Sequence, residues 1–106
     1  DIKGVFAAFD RAAIGCIQAL RNRGLAGKVK VVAYDASPEE IEALKKGEIA
    51  GLVVQQPFEM GYKGVEYIIA AKQGKKVPKD VYVPITVVTK ENMNRPEIQK
   101  VLYPAK

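Results

Sequence analysis

Short apolar segments that run directly into helical segments constrain this chain more than any other feature. The segments GVFAAF (4–9), KVVAY (30–34) and AGLVVQ (50–55) are apolar nearly throughout, and a helical pattern follows each of them. Strands of this composition are typically covered on both faces, as in a parallel sheet with helices on either side. The alternation therefore predicts a doubly wound α/β fold with a mostly parallel, flavodoxin-like sheet.

Four strands and four helices are predicted in all. The first helix is expected to follow Asp10 and to end at Gly24, and the others are expected over residues 38–46, 57–73 and 96–102. Asp10 is the predicted cap of the first helix, which Gly24 ends. The fourth strand is VYVPITVV (81–88), and Pro84 within it predicts an edge position or an irregularity, because proline cannot donate a ladder hydrogen bond.

Length and composition limit the classes of function. The 106 residues predict a single domain over 1–106, and no apolar run approaches the ~20 residues that span a bilayer. The net charge is +5, and the lysines lie in clusters. We interpret these clusters as solvated ends of helices rather than as a nucleic-acid-binding surface. Cys16 is the only cysteine and histidine is absent, so we expect no catalytic triad, no metal site, no cofactor and no enzymatic activity.

Asp35 ends the second predicted strand, directly before a helix that does not need it. Ser37, Pro38 and Glu40 already supply a hydroxyl cap, a proline at the first helical position and the acid of a capping box. A local Asx-turn is one role open to Asp35. The other is contact with a ligand.

The carboxyl ends of parallel strands meet at one edge of a sheet, which is where open α/β sheets bind ligands. Phe9, Asp35 and Gln55 are expected at that edge. No glycine-rich loop follows any of these strands, and the carboxylates would repel a phosphate. A neutral polyhydroxyl ligand fits better, although Gln55 could equally be a turn residue.

The segments FAAFDRAAIGCIQAL, KVVAYDASPEEIEALKKGEIAGLVVQQPFEMGYKGVEY and VPITVVTKENM resemble the C-terminal portion of ribose-binding-protein-like periplasmic sugar receptors. These receptors are the type I solute-binding proteins of ABC importers. The resemblance implies a monosaccharide ligand, contact of the parent receptor with a permease and a periplasmic or extracellular location. It implies sugar contacts for Asp35 and Gln55, whereas Phe9 stands where the family commonly has asparagine.

The resemblance also implies that the chain is a truncated lobe, because family members have two lobes and well over twice this length. The chain would cross to the other lobe at a hinge-like segment around 55–57. A strand neighbouring GVFAAF would be missing, so we expect an open sheet edge covered by homodimerisation or strand exchange. Binding by such a half-site is expected to be weak or undetectable. The alternatives are the ligand-binding core of a LacI-type transcription regulator and a receiver-like or flavodoxin-like signalling domain.

Overall fold

A computed structural model describes residues 1–104 of the chain. Four strands and four helices alternate, as predicted. In chain order they are β1 (Gly4–Ala7), α1 (Asp10–Asn22), β2 (Lys30–Tyr34), α2 (Pro38–Lys45), β3 (Gly51–Val54), α3 (Pro57–Lys72), β4 (Thr86–Val88) and α4 (Pro96–Leu102). None of the helices within residues 1–104 is both long enough and apolar enough to cross a membrane.

The chain divides into two compact units. The first unit comprises Asp1–Val54 together with the residues from Thr86 onward, and the second comprises Gln55–Ile85. The first unit therefore contains the whole sheet with α1, α2 and α4, while α3 lies in the second. The division after Val54 falls at the predicted hinge-like segment around 55–57. A single domain over 1–106 stays a prediction.

The four strands form one open sheet in the order β1-β2-β3-β4. The first three strands are parallel, with Ala7 opposite Ala33 and Ala33 opposite Leu52. Strand β4 runs antiparallel to β3 and places Val87 opposite Val53. The predicted α/β class with a mostly parallel sheet is confirmed, and β1 lies at an edge of the sheet as expected.

Strands β1, β3 and β4 are shorter than the sequence predicts, β3 by only one residue at each end. Strand β4 begins at Thr86, so Pro84 lies before it rather than inside it, because a proline has no N–H to offer the ladder. Strand β1 ends at Ala7, and its Phe6 remains 61% exposed. The expectation that these apolar strands are covered on both faces is therefore wrong for β1, which lies at the end of the sheet.

The first unit has one apolar core. Helices α1 and α2 contact each other, α1 packs on β1 and β2, and α2 packs on β3. The buried side chains at the centre of this core include Ile17, Val31, Leu44, Ile49 and Leu52. Burial of such aliphatic side chains stabilises the fold by about 1.5–3 kcal/mol each relative to exposure.

The start of α1 differs from the prediction by one residue. Phe9, with an extended backbone, is the N-cap, and Asp10 is the first helical residue. The Asp10 Oδ1 atom accepts a hydrogen bond of 2.7 Å from the Arg11 backbone N–H. Asp10 therefore still offers its carboxylate to the helix N-terminus, where negative charge is favourable, but it is not the cap.

Candidate functional site

The first unit brings Phe9 and Asp35 to the carboxyl ends of neighbouring parallel strands. Ala7 of β1 is opposite Ala33 of β2, and Phe9 and Asp35 each follow two residues later. Phe9 is 53% exposed, and Asp35 is half-buried. An exposed aromatic ring and a carboxylate thus lie at the sheet edge that commonly binds ligands in this architecture.

Asp35 has a backbone conformation that is unusual for a residue with a side chain. Its φ is 86°, and it is the only non-glycine residue with a positive φ within residues 1–104. Its backbone N–H donates a 2.9 Å hydrogen bond to the carbonyl of Val53 in β3. Such conformations cost of order 1–3 kcal/mol and persist where the surrounding structure enforces them, which is common at functional sites.

The helix that follows Asp35 has its own complete start. Ser37 Oγ accepts a 3.3 Å hydrogen bond from the Glu40 backbone N–H, and Glu40 Oε2 accepts a 2.8 Å hydrogen bond from the Ser37 backbone N–H. The predicted capping box is therefore confirmed, with Pro38 in the first turn. Ser37 and Glu40 thus form both hydrogen bonds of this capping box.

Glu40 is a residue that the sequence did not mark as special beyond its capping position. Its side chain is fully buried, and its Oε1 atom has no hydrogen-bond partner among the described residues. Burial raises the pKa of the Glu40 carboxyl, the hydrogen bonds from Ser37 oppose this effect, and the charges of Asp10 and Asp35 add to it. The S-x-x-E spacing predicted the capping box, but not the burial of Glu40.

The second unit contains Gln55, which is half-buried, and its neighbour Gln56. Gln56 Nε2 donates a 3.1 Å hydrogen bond to the carbonyl of Pro84. This bond connects the beginning of the second unit to its end. Helix α3 buries none of its side chains, and its Phe58 and Tyr62 rings stack with centroids 6.4 Å apart. Pro57, Val65 and Ile69 of the same helix line an open, mostly apolar groove together with these rings.

The chemistry of the first unit's edge suits hydrogen bonding rather than metal binding. No group of three or more histidine, cysteine or acidic side chains within residues 1–104 could hold a metal ion. The Asp35 carboxylate can accept strong charge-assisted hydrogen bonds from hydroxyl groups. Phe9, after the neighbouring strand, offers an exposed apolar ring.

Comparison with known proteins identifies the class to which this fold and edge belong. The chain belongs to the periplasmic binding protein domain family, which matches residues 1–76. The resemblance to ribose-binding-like receptors is thereby confirmed.

Among curated proteins, the chain is 36% identical over 91 residues to the ribose import binding protein of Salmonella typhimurium, covering 86% of this chain and 30% of that protein. It is 37% identical over 81 residues to the D-allose-binding periplasmic protein of Escherichia coli, covering 76% of this chain and 26% of that protein. Among solved structures, an ABC transporter solute binding protein from Agrobacterium vitis with bound D-fucose superposes with a TM-score of 0.88. Its sequence identity is 37%, and the match covers 97% of this chain and 36% of that one.

The chain thus spans about 30% of the length of the curated relatives that it matches. Those relatives are named as sugar-binding proteins, which does not favour the transcription-regulator or signalling alternatives. The Salmonella typhimurium relative is an import binding protein by name.

Proposed function

We propose that this chain supplies part of a monosaccharide site in a solute-binding receptor of an ABC importer. The observation that carries the proposal is the position of Asp35 at the carboxyl end of β2 with a positive φ, directly before a helix whose capping box is formed by Ser37 and Glu40. Its carboxylate would accept hydrogen bonds from sugar hydroxyls, each about twice as strong as a neutral hydrogen bond.

Phe9 and Gln55 have complementary proposed roles. The half-exposed Phe9 ring would cover the C–H face of a sugar ring, where the family commonly has asparagine. Gln55 would bind a hydroxyl group, because its amide can both donate and accept. The expected ligand is a neutral monosaccharide, and we assign no catalytic residue and no cofactor.

The comparisons support a transport role for the protein to which these residues belong. Relatives named as import-binding and periplasmic proteins suggest a periplasmic or extracellular location and contact with an ABC permease. The chain spans about 30% of those relatives, so few of the sugar contacts of a whole receptor can be made here. We therefore expect weak or undetectable affinity of the isolated chain.

The thermal midpoint of the purified chain tests the sugar proposal. D-ribose, D-allose and D-fucose are added separately at millimolar concentration while the protein concentration is fixed. A sugar at ~100 times its Kd adds about 2.7 kcal/mol to the free energy of unfolding. A rise that Asp35→Ala abolishes, and that the exposed control Asp80→Ala retains, supports the site. A rise that survives Asp35→Ala contradicts its assignment.

The open edge of the sheet carries a finer proposal, namely pairing with a second copy of the chain. Strand β1 ends the sheet, and Ile2 and Phe6 near it are largely exposed. An edge of this kind is a template for pairing. Sedimentation equilibrium should show a dimer that Phe6→Lys weakens and that Ile14→Lys, on helix α1, does not. A stable monomer at millimolar concentration contradicts the proposal.

A further inference from the structure

Glu40 is an exception in the core of the first unit. The other side chains of comparable burial are aliphatic, among them Leu44, Ile49 and Leu52, whereas Glu40 is a carboxyl group with 0% exposure. Burying a carboxyl group without full compensation is unfavourable, and only its Oε2 atom has a hydrogen-bond partner among the described residues. A capping box alone does not require this burial, because such boxes function at exposed helix ends.

The Glu40 carboxyl accepts a hydrogen bond from the turn that contains Asp35. Glu40 Oε2 holds the Ser37 backbone N–H at 2.8 Å, two residues after Asp35. At the other end of the turn, the Asp35 backbone N–H is held by Val53 at 2.9 Å. The turn is therefore fixed at both ends, once by the sheet and once by Glu40.

This double attachment matters because Asp35 has a strained backbone. A residue with a side chain keeps a φ of 86° only where neighbouring bonds enforce it. Release of Ser37 would remove the attachment at the C-terminal end of the turn and loosen the conformation of the Asp35 backbone. The direction of the Asp35 carboxylate would change with it.

We infer that Glu40 is a positioning residue, which holds the strained Asp35 turn through the Ser37 backbone and thereby aims the Asp35 carboxylate at the ligand edge. The ligand part of this inference rests on the proposed function. The positioning part concerns the turn alone and can be measured without sugar. Glu40 is fully buried, which restricts the movement of its side chain away from Ser37.

Amide hydrogen exchange in the purified chain tests the positioning. Glu40→Met fills the buried space but offers no carboxylate to Ser37, whereas Glu40→Gln retains an acceptor oxygen. Exchange rates are normalised to the slowest amides of β2. The Asp35 amide should exchange about tenfold faster in Glu40→Met than in wild type, whereas Glu40→Gln should keep the slow rate of wild type. Equal Asp35 exchange in both variants overturns the inference.

Ser37→Ala is the matched control. It removes the Ser37 hydroxyl that caps α2 but leaves the Ser37 backbone bond to Glu40 in place. The inference predicts faster exchange in the first turn of α2 and unchanged exchange at Asp35. If Ser37→Ala accelerates exchange at Asp35 as much as Glu40→Met does, any disturbance of the start of α2 has this effect. That result would overturn the positioning role of Glu40.

D-ribose provides the ligand arm of the same experiment. If wild type binds D-ribose, the affinity of Glu40→Met for D-ribose should be about tenfold weaker, and the affinity of Glu40→Gln should equal that of wild type. Unchanged D-ribose affinity in Glu40→Met overturns the claim that the turn aims the carboxylate. If wild type binds no sugar, the proposed function has failed, and the exchange measurements still decide the positioning.

Discussion

Single residues at the sheet edge carry the distinctive chemistry of this chain. Asp35 combines a positive φ with a position at the end of a parallel strand, and Glu40 is buried behind the same turn. Asp10, at the first position of α1, adds a third acid to this region. Titration of Glu40 and substitution of Phe9 are therefore the changes with the clearest expected effects.

Stability should depend on pH through Glu40. Its folded pKa is raised by burial above the unfolded value, so its contribution to stability is fully present below the unfolded pKa and is lost as pH rises through the folded pKa. The facing charges are Asp10 from α1 and Asp35 from the end of β2, both of which oppose ionisation of Glu40. β3, packed on α2, has no titratable side chain.

Urea unfolding of wild type and Glu40→Gln between pH 4 and pH 8 measures this effect. The free energy of unfolding of Glu40→Gln should rise relative to wild type as pH increases, by at most about 1.4 kcal/mol per pH unit. A difference that is independent of pH would mean that Glu40 ionises as easily in the folded chain as in the unfolded one.

Phe9 should control which sugars bind. Phe9→Asn restores the amide that the family commonly has at this position and offers a donor and an acceptor to sugar hydroxyls. We expect the order of thermal shifts among D-ribose, D-allose and D-fucose to change in Phe9→Asn, while Phe58→Asn on α3 leaves it unchanged. The same order of thermal shifts in wild type, Phe9→Asn and Phe58→Asn would show that Phe9 does not determine which sugar binds.

Among the elements, α1 offers a matched pair of glycines. Gly15 lies exposed inside the helix with open space at the position of a Cβ, whereas Gly24 follows the helix with a φ of 65°. Gly15→Ala should stabilise the chain by about 0.5–1 kcal/mol through helix propensity, and Gly24→Ala should destabilise it by about 1 kcal/mol because alanine disfavours a positive φ. Chemical denaturation measures both, and equal effects would contradict the argument.

The helix starts show which elements could be predicted from sequence. The starts of α2, α3 and α4 at Pro38, Pro57 and Pro96 agree with prediction, because proline suits the first helical position. The extent of β4 was predicted less accurately. Residues 81–85 have strand-like composition, but β4 begins only at Thr86, because strand pairing depends on long-range contacts. The start of α1 differed from the prediction by one residue. Aspartate is favoured at the N-cap, but here Phe9 occupies the N-cap and Asp10 is the first helical residue.

The candidate site was predictable in part. The rule for parallel strands placed Phe9 and Asp35 at one edge, and the register of β1 with β2 agrees. The role of Gln55 stays a prediction. The φ of Asp35 and the burial of Glu40 had no local signal, because both depend on how α1, α2 and β3 pack around the turn.

At the scale of the whole molecule, the two units should differ in local stability. The first unit contains the apolar core, whereas α3 in the second unit buries none of its side chains. Amides of α3 should therefore exchange with solvent faster than those of α1 around Ile17, because their opening exposes little apolar surface. Equal protection of α1 and α3 would show that the whole chain opens as one cooperative unit.

The most direct test of the central claim is a titration of the ¹⁵N-labelled chain with D-ribose to high millimolar concentration, followed by amide chemical shifts. This measurement detects weak binding and also locates it. The account predicts saturable shifts at Phe9 and Asp35 in wild type, and their loss in Asp35→Ala. Saturable shifts confined to other residues, or shifts that persist in Asp35→Ala, would contradict the assignment of the sugar site to this edge.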